Sequence, residues 1–220
     1  DLIESVDLLL SKNGTFIFEE PYLGSMFDKV SYDQIYDEHI FMFSALSIKK
    51  IFERFNLYLV DALPQVTHGG SMRYVIQRNK KKCSENLKKI LDYEKKKKLD
   101  SIDSCLNFKK NCEKSKYNLL KKIQNFKENG KSICGYAATS KSTTILNYCG
   151  IGTNFIDYIC DTTKEKIGKL SPGMHIPIKD MSYFYKNMRD CVYLFAWNHK
   201  DEIFNKEKNF KGEWFSHVAL

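Results

Sequence analysis

Residues 80–129 contain neither proline nor glycine, and this stretch constrains how the rest of the chain can be laid out. Apolar residues return in it at helical spacing: Leu87, Ile90 and Leu91, then Leu99, Ile102, Cys105 and Leu106, then Leu119, Leu120, Ile123 and Phe126. With no breaker inside, the pattern predicts two or three helices, closed by Asn129-Gly130. The stretch also carries the basic character of the chain. The whole sequence nets +8, but residues 80–131 hold 17 lysines against seven Asp and Glu, which leaves the remainder slightly acidic. No arginine occurs there, and bidentate readout of bases leans on arginine. The run therefore argues for a solvated helix face and against specific nucleic-acid recognition.

On either side the pattern is mixed α/β. Residues 1–10 form a helix with Leu2, Ile3, Val6, Leu9 and Leu10 on one face. Residues 15–19 read as a strand that runs out at Glu19, Glu20 and Pro21. A helix over 43–55 follows, with Asn56 as its cap. Strands at 57–63 and 72–78 are joined by Thr67-His68-Gly69-Gly70-Ser71 and can pair antiparallel. After Gly130 come strands at 132–137 and 155–160, a turn and short strand in 172–178, a strand at 190–196 and a last one from Trp214. Helices at 139–148, 181–187 and 201–209 separate them. That alternation predicts a small parallel sheet of Rossmann type.

A content of 43% hydrophobic and 14% aromatic residues suffices for a packed core, in one large domain or two small ones. No run of about 18 apolar residues exists, so no membrane span is expected, and no signal peptide is visible. Seven scattered cysteines without a CxxC pair fit a reducing cytoplasm rather than a disulfide framework. No closely spaced ligand pairs suggest zinc or another metal. The chain opens on Asp1 in helical register without a methionine, and we expect it to be part of a longer protein.

Three places concentrate chemistry. Tyr32-Asp-Gln-Ile-Tyr-Asp-Glu-His39 packs two tyrosines, three carboxylates and a histidine into the loop past the first strand. It reads either as a polar loop with a helix cap or as an acid/base site, since histidine titrates near neutrality and carboxylates tune it. Gly135-Tyr-Ala-Ala-Thr-Ser-Lys141-Ser142 nearly spells a P-loop, but Ser140 replaces the glycine that lets backbone fold round a phosphate, which counts against an NTPase. The turn, with Ser140 and Lys141 ahead of a helix, still has the geometry of an anion site, and Asp161 ends the next strand where a ribose-binding carboxylate would sit. An ordinary tight turn and surface Asp stand equally open. His68-Gly69-Gly70-Ser71 is either a hairpin turn or a place of close ligand approach. Trp197-Asn198 either stacks on a base or sugar, or packs.

Together, Glu20-Pro-Tyr22, the 32–39 motif, His68-Gly-Gly-Ser71, Gly135-Tyr-Ala-Ala-Thr-Ser-Lys141, Leu146-Asn-Tyr-Cys-Gly-Ile-Gly152, Pro172-Gly-Met-His-Ile-Pro177 and Ala196-Trp-Asn198 occur in one order. The set resembles the S-adenosylmethionine-dependent deoxysugar C-methyltransferases, over nearly all of the chain except the lysine-rich stretch. The resemblance implies the end of a class I methyltransferase sheet in 1–79, a helical connector in 80–130, and a Rossmann-like nucleotide-sugar domain in 131–220. It implies a nucleotide diphosphate keto-sugar as substrate, held between the two domains. It places the main S-adenosylmethionine loop upstream of residue 1, and zinc only in a further N-terminal module. By resemblance His39 is the general base, with Tyr36 and Glu38 beside it. Substrate contacts are expected from Tyr32, His68, Gly69, Gly70, Ser71, Tyr136, Ser140, Lys141, Asn147, Asp161, His175, Trp197 and Asn198. Departures are Thr139-Ser140 where many relatives carry Pro-Ala, the lysine-rich connector, and the lack of a proline-rich tail. The alternative reading is a non-catalytic nucleotide-sugar-binding module of the same fold.

Overall fold

The computed structural model describes residues 2–79 and 83–220; Asp1 and residues 80–82, expected at the starts of the first helix and the connector, lie outside the described residues. The chain forms two compact units: Asp1–Asp28 with Phe41–Lys109, and Lys29–Ile40 with Lys110–Leu220. This division differs from 1–79, 80–130 and 131–220. The tyrosine and histidine loop falls in the C-terminal unit, and the lysine-rich stretch is split between both.

The first unit contains α1 (Leu2–Leu9), β1 (Thr15–Pro21), α2 (Leu23–Lys29, whose last residue crosses the boundary), α3 (Ala45–Glu53), β2 (Tyr58–Gln65), β3 (Ser71–Gln77) and α4 (Glu85–Lys97). β3 lies between β1 and β2 and runs antiparallel to both, so β1 and β2 point the same way across the α3 crossover. The expected pairing of the strands around the Gly-Gly turn is thus found. Met72, Tyr74 and Ile76, alternate residues of β3, are buried on one face. Ala45, Ile48 and Phe52 of α3 and Leu87 of α4 belong to the same core. Pro64 lies inside β2, which tolerates it as an edge strand. From α1, Ile3 and Val6 meet that core, as does Leu10 just past its end; Leu2 and Leu9, expected on the same face, are exposed.

Two features were not expected. α2 fills the gap between Pro21 and the loop, and Gly24 is required in it, because a Cβ there would lie 2.5 Å from the Tyr22 ring. The second is Glu94, which sits in a run of lysines yet is wholly buried. Its carboxylate accepts the N–H groups of Ala45 and Leu46, both at 2.7 Å, and the Tyr22 hydroxyl at 3.0 Å. Together with the Ser44 capping box it satisfies the start of α3, where N–H groups have no partner within the helix.

α5 (Ile102–Glu128) begins in the first unit and continues into the second. The second unit then runs β4 (Ile133–Tyr136), α6 (Ser140–Cys149), β5 (Ile159–Cys160), β6 (Ile178–Lys179), α7 (Met181–Lys186), β7 (Cys191–Leu194), α8 (Lys200–Lys206) and β8 (Glu213–Phe215). The strands lie in the order β6-β5-β4-β7-β8 and every pairing is parallel, the expected Rossmann-like sheet. Only Ile159–Cys160 of the strand foreseen at 155–160 joins the ladder. The strand order reverses between β4 and β7, and in such sheets the crevice at the carboxyl ends of those two strands is where ligands bind. Among the described residues no helix is long and apolar enough to cross a membrane.

Candidate functional site

Just past the carboxyl end of β7, Trp197 is buried and its indole N–H donates to Asp33 Oδ2 at 2.6 Å. Asp33 is wholly buried in the 3₁₀ turn Tyr32–Gln34, which packs against α6. From the β4 side, the Lys141 ammonium lies 4.6 Å over the Trp197 ring and donates to Asn198 Oδ1 at 2.8 Å. Burial pulls the Lys141 pKa down, the charge of Asp33 opposes that, and nearby Lys29 adds to it. Lys29 itself lies 5.8 Å from the same ring. The switch point therefore holds one buried carboxylate, two ammonium groups and an indole.

The second oxygen of Asp33 faces His217. His217 Nε2 is 3.2 Å from Asp33 Oδ1, within ion-pair range but off the line of a hydrogen bond. On its other side His217 Nδ1 is 2.9 Å from the Tyr193 hydroxyl, and that oxygen already accepts the His217 backbone N–H at 3.2 Å. Burial holds the Tyr193 phenol protonated far beyond neutrality, so it can donate to Nδ1 and leave the imidazole proton on Nε2, toward Asp33. Tyr32 is buried beside this network, its ring edge-on to His217 and Tyr148.

The loop after Gln34 contains the expected base. His39 Nδ1 lies 2.7 Å from the Gln34 carbonyl oxygen. A carbonyl only accepts, so in the neutral ring Nδ1 carries the proton and Nε2 is the basic nitrogen. The ring sits against Tyr36, with centroids 4.1 Å apart, and is half-buried rather than enclosed. Burial, reinforced by the carboxylates of Glu38, Asp33 and Asp37, raises the Tyr36 pKa, which keeps it a hydrogen-bond donor. Glu38 is exposed.

The other expected residues are placed as follows. Tyr136 is buried, with its hydroxyl donating to Glu207 at 2.8 Å and its ring against Phe184 and Trp214. Asp161 braces the turn after β4, accepting the N–H groups of Ala138 at 2.6 Å and Thr163 at 2.7 Å. Ser140 is exposed at the start of α6. Asn147 donates to the carbonyls of Thr143 and Pro172, and its side chain occupies the space a Cβ would need at Gly173. His175 is exposed with a left-handed backbone. His68, Gly69, Gly70 and Ser71 lie in the first unit, where three successive positive φ values turn the chain from β2 into β3. There Thr67 and Arg73 hydrogen-bond Glu19 at the end of β1, and the Thr67 bond lowers the Glu19 pKa most.

Within the second unit, Lys141, Trp197 and Asn198 come together beside Asp33, Tyr32 lies against His217 and Tyr148, and Tyr136 and Asp161 serve the fold around them. Sequence reasoning missed Asp33, Lys29 and His217. Asp33 was in view within the dense polar motif, whereas nothing around His217 marked it. Among the described residues no group of three or more His, Cys, Asp and Glu side chains is arranged to hold a metal.

Residues 66–218 match the model of a family described as the C-methyltransferase C-terminal domain. The chain belongs to that family. This C-methyltransferase C-terminal domain is also 29% identical over 214 residues to the C-methyltransferase NovU of Streptomyces niveus. The alignment covers 96% of the chain and 50% of that relative, so the chain spans half the length of the protein it resembles. The family match takes in Lys141, Trp197, Asn198 and His217; Asp33 and His39 precede it.

Proposed function

We propose that the chain is the C-terminal part of an S-adenosylmethionine-dependent C-methyltransferase that acts on a carbon next to the ketone of a nucleotide-linked keto-deoxysugar. The observation that carries this reading is the 2.7 Å contact between His39 Nδ1 and the Gln34 carbonyl, which assigns basicity to Nε2 on a half-buried ring. A ketone makes the proton on its neighbouring carbon removable, because the charge left behind moves to oxygen as an enolate. His39 Nε2 takes that proton, and the Tyr36 phenol, kept protonated, donates to the developing oxyanion. S-adenosylmethionine supplies the electrophilic methyl group when bound. No E/D-x-G-x-G-x-G loop follows a strand in this sequence, so these residues do not fit its main binding loop, and the chain's own part is the proton and the sugar. Seven unpaired cysteines support a reducing, cytoplasmic setting.

The test is hydrogen exchange in the full-length protein. A keto-sugar nucleotide incubated in D₂O without methyl donor should gain deuterium next to the ketone. His39→Ala should slow that exchange, and methyl transfer with it, by about 10²–10⁴-fold. Exchange at the wild-type rate in the variant would remove His39 from the role of base.

A further inference from the structure

The residues around His39, from Ile35 to Ile40, form no helix or strand. Ile35, Asp37, Glu38 and Ile40 are exposed, so the stretch buries little that could hold it in place. Its Nδ1 contact with the Gln34 carbonyl, at 2.7 Å, ties the direction of the His39 ring to Gln34. Where the base points therefore depends on what fixes Gln34.

Gln34 ends the 3₁₀ turn Tyr32–Gln34. Two backbone bonds close that turn: the Gln34 N–H donates to the Ser31 carbonyl at 3.2 Å and the Ile35 N–H to the Tyr32 carbonyl at 3.1 Å. So short a turn is not rigid by itself. It is held from outside, through Asp33, its wholly buried middle residue. The Trp197 indole N–H donates to Asp33 Oδ2 at 2.6 Å, and His217 Nε2 lies 3.2 Å from Oδ1. Both partners lead back to β7. Trp197 begins the turn that follows this strand, and His217 Nδ1 is 2.9 Å from the hydroxyl of Tyr193 within it. β7 pairs with β4 on one side and β8 on the other, so it is an interior strand. A path of contacts thus runs from the sheet to the imidazole by way of Asp33 and the next carbonyl, all inside the second unit.

A carboxylate is a costly way to pack a turn, since an apolar side chain would fill the space without giving up hydration. What it adds is direction: two partners at its two oxygens restrict how the turn can sit. We propose that Asp33 is a positioning residue for His39: its carboxylate locks the turn, and the turn aims the imidazole through the Gln34 carbonyl. That this aim serves proton abstraction rests on the C-methyltransfer reading above; the aim itself does not.

The first measurement needs no substrate. Nitrogen-15 NMR of the histidine-labelled chain, with the His39 signals assigned from His39→Ala, reads which ring nitrogen holds the proton once the imidazole is neutral. The natural chain should show a protonated Nδ1 and a bare Nε2. Asp33→Ala should mix the two tautomers, and Asp33→Asn, which keeps an oxygen for the indole, should restore the first pattern. Trp197→Phe removes the indole N–H from the other side and should mix them too. An unchanged tautomer in Asp33→Ala, or in Trp197→Phe should the alanine variant not fold, overturns the proposal. The second measurement is deuterium exchange beside the ketone in the full-length protein. Asp33→Ala should lower the maximal rate about 10–100-fold and leave KM within about twofold, because the base is misaimed while the sugar still binds. Asp33→Asn should recover most of that loss. A raised KM at an unchanged maximal rate would make Asp33 a binding residue and overturn the positioning role. If His39→Ala leaves exchange untouched while the tautomer still follows Asp33, the reaction reading fails and the positioning stands.

Discussion

Glu94 and Asp33 are both wholly buried carboxylates, one in each unit, and they are treated oppositely. Glu94 is saturated, with two backbone N–H groups at 2.7 Å and a tyrosine hydroxyl at 3.0 Å all pointing at it. Asp33 has one firm bond, from the Trp197 indole, and its other oxygen meets His217 at an angle. The first arrangement is a clamp: a charge removed from water is held by fixed donors, and one helix start is completed by it. The second leaves unspent hydrogen-bonding capacity beside two lysines and a histidine, which belongs to a site rather than a scaffold.

That contrast can be broken by mutation. The largest expected effect is at Glu94. Replacing it with alanine strands three buried donors at once, and urea unfolding should show a loss of about 3–5 kcal/mol. Asp33→Asn keeps an oxygen for Trp197 and removes only the charge. Its cost should be about 1 kcal/mol, and a loss as large as that of Glu94→Ala would make Asp33 a second clamp and end the comparison.

The smallest effect is in pH. Burial raises the Glu94 carboxyl above its ordinary 4.5, although its three donors pull the other way. Between 4.5 and that raised value the folded state keeps a proton that the unfolded chain has lost. The contribution of this group to stability is therefore full below pH 4.5 and fades as pH rises through the folded value. Glu94→Gln lacks the titrating proton. The stability of the natural chain relative to this variant should fall as pH rises across the window, and a difference independent of pH would show that the donors cancel the cost of burial.

Much of the architecture was legible in the residues themselves. The alternation after Gly130 announced the parallel sheet, and the Gly-Gly turn announced the antiparallel pair. Lys141, Trp197 and Asn198 were expected to serve one ligand and do lie together. What escaped has physical causes. Periodicity registers apolar side chains, so it passed over Glu94, a charged residue buried by its partners amid lysines. α2 carries Gly24 and Ser25 three and four residues after Pro21, a composition that reads as loop. The lysine-rich run was read as a solvated face, and Lys95, Lys96, Lys97, Lys98, Lys109, Lys110, Lys114, Lys121 and Lys122 are indeed exposed. Residues 29–40 join the C-terminal unit through contacts such as Trp197 with Asp33, 164 positions apart, which no local pattern encodes.

The central place of β3 also bears on synthesis. Among the described strands, β1 and β2 each pair with β3 and not with one another. Until residues 71–77 have left the ribosome, β1 and β2 each have a ladder edge waiting. They are exposed to mispairing with other chains in that interval, so a pause in translation that keeps β3 inside the ribosome while β1 and β2 are outside would favour aggregation.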